Sequence, residues 1–175
     1  MARSRVRQIF LLPIGSSEAM SRLVKLAVLV FLLSPTVVVR GSGLISPIRK
    51  FDEFGDLNCE DEYARLDNFA IQLQQESQAK GLIIFYGGKK FRGRLPKRGE
   101  AEARAARLKP YLVRRRGIPS SRLIVVNGGY AEEWHVEFWI VPPGLSMPSP
   151  YTTVSPKEIK FRKGKVSPRA FRCRV

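Results

Sequence analysis

Arg104 lies in the run "GEAEARAARLKPYLVRRRGI" (99–118), where alanines and leucines recur at helical spacing. On a helical wheel Ala101, Ala105, Leu108 and Leu112 share one face, and Arg104 falls on the edge of that face. A planar guanidinium held there can make a two-pronged contact with a carboxylate. The competing reading is an arginine that lays its stem over the core and keeps its head in water. Lys89, Lys90, Arg92, Arg94, Lys97 and Arg98 crowd the stretch just before this helix, with Phe91 among them. Such a cluster is either a solvated loop or a contact for a polyanion. The C-terminal run "KEIKFRKGKVSPRAFRCRV" again interleaves Phe161 and Phe171 with basic residues, which suits nucleic acid, anionic lipid or wall polymer if it is not simply disordered. Catalytic chemistry has no comparable signal. His135 is the only histidine and has no Cys or His companion at ligand spacing, so no metal or other cofactor is expected. No Ser–His–acid arrangement or nucleophile elbow is visible, and the expected protein is not an enzyme.

These residues need elements to hold them. Residues 47–54, "PIRKFDEF", read as a short strand with Ile48, Phe51 and Phe54 as its apolar members. Gly55-Asp56 breaks it. Asn58 can cap a helix running to about Ala79, whose apolar stripe is Tyr63, Leu66, Phe69, Ala70 and Leu73, with Gly81 marking its end. "LIIFYGG" (82–88) has the apolar content of a central strand buried on both faces. The opening stretch is the second helix. Pro110 within it predicts a kink or a shifted boundary, and Gly117 ends it. "SRLIVVNGGY" (121–130) reads as a third strand. In "EEWHVEFWIV" Trp134, Val136, Phe138 and Ile140 alternate with His135, Glu137 and Trp139, as a fourth strand requires. The order β-α-β-α-β-β predicts an α+β two-layer sandwich, a mixed sheet with two helices on one face.

The 175 residues carry 31 Lys and Arg against 15 Asp and Glu, a formal charge of +16. Nucleic acid, acidic lipid and anionic cell-wall polymer would all be attracted. The charge is uneven: Glu60, Asp61, Glu62, Asp67 and Glu76 sit in the first helix, whereas bases dominate 89–116 and the Pro-, Lys- and Arg-rich stretch 145–175, which is expected to be an exposed tail.

From Met20 the chain reads "MSRLVKLAVLVFLLSPTVVVRGSG". A basic start at Arg22 and Lys25 followed by a short apolar run is the pattern of a secretory signal or, uncleaved, of an anchor at residues 23–39. The expected divisions are 1–41 for this segment, with Met20 as the working start, 42–144 for the folded domain and 145–175 for the tail. Export permits a disulfide between Cys59 and Cys173, which would fold the tail back on the first helix.

Residues from about 50 to 142 resemble the C-terminal domain of the outer-membrane protein A (OmpA-like) family. The matching elements are Leu66, Asp67, Ala70 and Leu73 of the first helix, then Arg104-Ala105, Tyr111-Leu112, Gly117-Ile118, Pro119, Ser121-Arg122-Leu123 and the glycine pair before Tyr130. The resemblance implies a non-catalytic domain that binds peptidoglycan in the periplasm or at the outer membrane. It places Arg104 at the position of the family arginine that takes the diaminopimelate carboxylate. Aligning Gly87 with the family glycine puts Lys90 where the family has an aspartate for the ammonium group, and a lysine there would repel that group. The expected ligand is therefore peptidoglycan or another anionic envelope polymer, contacted by Arg104, Lys90 and Arg92. The alternatives are a module for other envelope proteins with a vestigial pocket, or a basic nucleic-acid binder.

Overall fold

Phe51 and Phe54 are three residues apart, so a regular strand would send them to opposite faces. In the computed structural model, which describes residues 47–167 and Phe171, a bulge solves this. Strand β1 (Arg49–Phe54) slips register between Lys50 and Asp52 against β4 (His135–Val141). The extra residue turns both rings toward the helices: Phe51 packs on Phe69 and Phe54 on Phe138.

The other strands are β2 (Lys80–Lys90) and β3 (Leu123–Glu133). The sheet order is β1-β4-β2-β3, with β2 parallel to β3 and antiparallel to β4. The sheet is thus mixed, and the fold is the expected α+β sandwich. Strand β2 is central, which is why every residue from Gly81 to Gly88 is buried. Strand β3 runs past its two glycines. Gly129 has φ 88°, and a register shift opposite Phe85–Gly87 absorbs the irregularity.

Helix α1 (Cys59–Gln75) starts as expected, with the Asn58 side chain accepting from the Asp61 amide at 2.8 Å. It ends four residues earlier than the periodicity predicts. Gly81 is not its cap but part of β2, where a Cβ would sit 2.8 Å from Leu73, 2.9 Å from Phe69 and 3.0 Å from Leu123. The cap falls instead to Arg122, whose guanidinium donates to the carbonyls of Leu73, Glu76 and Ala79.

The second helix comes in two pieces, α2 (Glu100–Ala105) and α3 (Leu108–Arg116). Pro110 sets the break. It has no amide to give the Ala106 carbonyl, and its ring would strike that carbonyl in a continuous helix. Gly117 closes α3 with φ 69°, and the Ile118 amide returns to the Leu112 carbonyl.

The core between helices and sheet holds Leu66, Phe69, Leu73, Leu108, Leu112, Val136, Phe138 and Ile140, all fully buried. Residues 145–167 are mostly exposed, as expected of the tail, but they are fastened to the domain. A 3-10 turn at Pro156–Glu158 is closed by a Ser155 capping box, Val154 bridges Tyr130, and Val154 and Ile159 are buried. Among the described residues no helix is long and apolar enough to cross a membrane. The expected signal or anchor, including residues 23–39, lies outside the described residues, as does Cys173.

Candidate functional site

Helix α2 carries Arg104 inward, not toward an open groove. The residue is 3% exposed. Its Nη1 lies 3.2 Å from Asp56 Oδ1 and its Nη2 3.5 Å from Glu100 Oε1. The guanidinium lies 3.2 Å from the centre of the Phe91 ring, with Phe171 at 4.6 Å and Trp134 at 5.3 Å. Burial pushes its pKa down, and Asp56 and Glu100 oppose that push. An arginine so placed remains charged, because its free pKa is far above neutrality. Both of its carboxylate partners are internal, so the grip expected for a guest is already filled.

The surrounding space agrees. Gly87, Gly88, Phe91, Glu100, Arg104 and Trp134 line a cavity of about 20 Å³. That is room for one water-sized group, far less than a sugar or peptide needs. Gly88 shows how tightly the wall is built: a Cβ there would meet the Trp134 amide nitrogen at 2.5 Å.

The other two expected ligand residues separate from this cluster to different degrees. Arg92, with φ 48°, bonds the second oxygen of Asp56 and stays exposed. Asp56 therefore joins Arg92 to Arg104. Lys90 ends β2, exposed and in register with Glu133. Lys89 faces Glu132, at 3.6 Å.

Cys59, the first residue of α1, is disulfide-bonded. Nearby, the fully buried Glu62 accepts from Arg107 Nε at 2.6 Å, and Arg107 Nη1 donates to the Phe171 carbonyl at 2.9 Å. Phe171 is thus held against α1 and α2 by an arginine pair, one arginine under its ring and one on its carbonyl.

A second cluster lies on the opposite sheet face. Glu53, His135 and Glu137 bring their ligand atoms within 4.8 Å of one another. The Lys50 ammonium sits among them, 2.8 Å from Glu53 and 2.6 Å from Glu137, so a cation of the chain's own already holds the carboxylates. Burial opposes ionisation of Glu137. Donation from Lys50 and Trp139 outweighs it and holds the carboxyl below its ordinary value.

The arrangement open to solvent is different. The basic loop 89–98 and the segment 157–165 meet. The Arg162 amide donates to the Pro96 carbonyl at 3.0 Å, and Lys97 and Arg162 form a parallel bridge. Arg98 stacks over Phe161 at 4.7 Å, and Phe161 packs edge-on against Tyr130. Arg94, Arg98, Lys160, Arg162, Lys163 and Lys165 are all exposed around this junction. Lys89 is tied to Glu158 at 3.4 Å, but Glu158 is the only acid in either segment. Aromatics within basic runs were the sequence signal for this surface; what sequence could not show is that the two runs share one place. Asp56 was missed, since nothing distinguishes it from an ordinary turn residue. Comparison with protein-family models and with curated proteins finds no match.

Proposed function

We propose that this protein is a non-catalytic binding module for an anionic polymer of the cell envelope, with peptidoglycan as the polymer the OmpA-like resemblance favours. The observation that carries the reading is the joining of residues 89–98 and 157–165 into one basic surface around the Arg98–Phe161 stack. Arg98, seated on the packed Phe161 ring, presents its charge with less of the ordering cost that a free arginine tail would incur. Lys90 and Arg92 flank it on the same loop. Arg104 acts behind it, as the buried post to which Phe91, Phe171 and Asp56 are fastened. The envelope location rests on the basic-then-apolar run from Arg22 to Val39.

Binding of this kind is electrostatic and weakens with ionic strength, because exposed charges are screened over about 10 Å at 0.1 M salt. The test is co-sedimentation with purified sacculi over a salt series, with duplex DNA as competitor. Retention at low salt that a triple Arg98→Glu, Arg162→Glu, Lys163→Glu variant loses is the expected result. Failure to co-sediment at low salt, or DNA competing far below its equivalence in charge, would overturn the reading, the latter in favour of nucleic acid.

A further inference from the structure

Beyond that surface, a groove of about 550 Å³ runs between the helix layer and strand β3, an edge of the sheet. Ala105, Ala106, Pro110 and Val113 supply its helix wall, and Phe85 and Val125 its floor. The helix break at Ala106–Arg107 opens it, since small and ring-shaped residues stand where a continuous helix would press long side chains onto the sheet. Val125 is 37% exposed, unusual for a large apolar residue on the helix-covered face of a sheet.

We propose that this groove takes a short, extended, acidic-and-apolar peptide segment of another protein, which lies along the β3 edge. Three observations select that occupant. The first is the edge itself. Lys109 Nζ donates to the Leu123 carbonyl at 2.6 Å, so that carbonyl points away from β2. Strand alternation then turns the backbone groups of Val125 to the same outer side, where a guest strand can pair with them. The second is depth: a guest side chain on the groove side meets apolar atoms beside Val125 and Val113, of a volume typical of ligand pockets. The third is charge. Lys109 and Arg114 line it against one acid, Glu102, which accepts from Asn127 Nδ2 at 3.0 Å, so the lining carries a net positive charge.

The same charge argument disfavours the chain's own candidates. Residues 1–46 carry Arg3, Arg5, Arg7, Arg22, Lys25 and Arg40 against Glu18 alone. A second copy brings a further +16, and three of the acids in and just after its α1 are already held: Glu62 by Arg107, Asp67 by Arg116 and Glu76 by Arg49.

The test uses the full chain and a fluorescent octapeptide of alternating glutamate and valine, read by anisotropy at moderate salt. A lysine–valine octapeptide is the control. Ala106→Trp fills the groove from an exposed position in the turn between α2 and α3 without changing charge. It should weaken binding at least tenfold, whereas Arg98→Glu with Arg162→Glu, on the other basic surface, should change it less than threefold. Amide exchange of Ile124–Asn127 should slow in the complex. Binding that ignores Ala106→Trp but follows the Arg98 and Arg162 changes would overturn the proposal, as would equal binding of both peptides. A concentration-dependent dimer that Ala106→Trp breaks would overturn it in favour of self-association.

Discussion

Arg104 is the residue on which the interior balance depends. Its positive charge faces Asp56 and Glu100, and its flat faces lie on aromatic rings. Truncation would leave Glu100 buried beside an unfilled hole, and removing one member of a buried pair costs about 3–5 kcal/mol. Because Asp56 is partly exposed, the lower end of that range is expected for Arg104→Ala, read by urea denaturation. Arg104→Lys should recover little, since an ammonium cannot stack between Phe91 and Phe171 while reaching two carboxylates. The fraction of either variant that stays folded should still bind sacculi, which separates a post from a ligand-gripping group. Gly128 makes a sharper steric case. A Cβ there would lie 2.4 Å from the Tyr86 ring, so Gly128→Ala is expected to lose about 1–3 kcal/mol through overpacking.

At the scale of elements, the capping of α1 by Arg122 is the feature most open to test. Arg122→Ala strips the donor from the Leu73, Glu76 and Ala79 carbonyls and should cost about 1–3 kcal/mol, with the extra amide exchange confined to the end of α1. The β1–β4 pair contributes a pH dependence. Glu137 has its folded pKa below the ordinary 4.5, so its stabilising effect is complete above that value and is lost as pH falls through the folded pKa. Glu137→Gln should therefore flatten the fall of the urea midpoint on the acid side of pH 4.5. Much at this scale was legible in the sequence because its causes are local: Asn58 caps over three residues, Pro110 acts on the carbonyl four residues back, and Gly117 needs only its own φ. The end of α1 was not legible, because its cap comes from Arg122, 49 residues beyond Leu73. Arg104 was read as lying on the edge of the apolar face, whereas it is buried, and its partner Asp56 is 48 residues away and carries no local mark.

For the whole molecule, the charge of +16 is not spread as a uniform shell. Glu62 and Asp67 of α1, and Glu76 just after it, are spent on arginines brought to them by tertiary structure, Arg107, Arg116 and Arg49. Among the described residues, exposed cations gather on the joined surface of residues 89–98 and 157–165, and Arg114 stands on the rim of the β3 groove. Composition alone led to the expectation of a polyanion; the proposed contact surface depends on the return of the tail onto Pro96 and Tyr130, which sequence did not show. The most direct measurement is retention on purified sacculi across a salt series, comparing the wild-type chain, the triple Arg98→Glu, Arg162→Glu, Lys163→Glu variant and folded Arg104→Lys. The account predicts salt-sensitive retention for the wild type and Arg104→Lys and its loss in the triple variant. Retention that survives the triple charge reversal but disappears with Arg104→Lys would contradict it and return the binding site to the buried arginine.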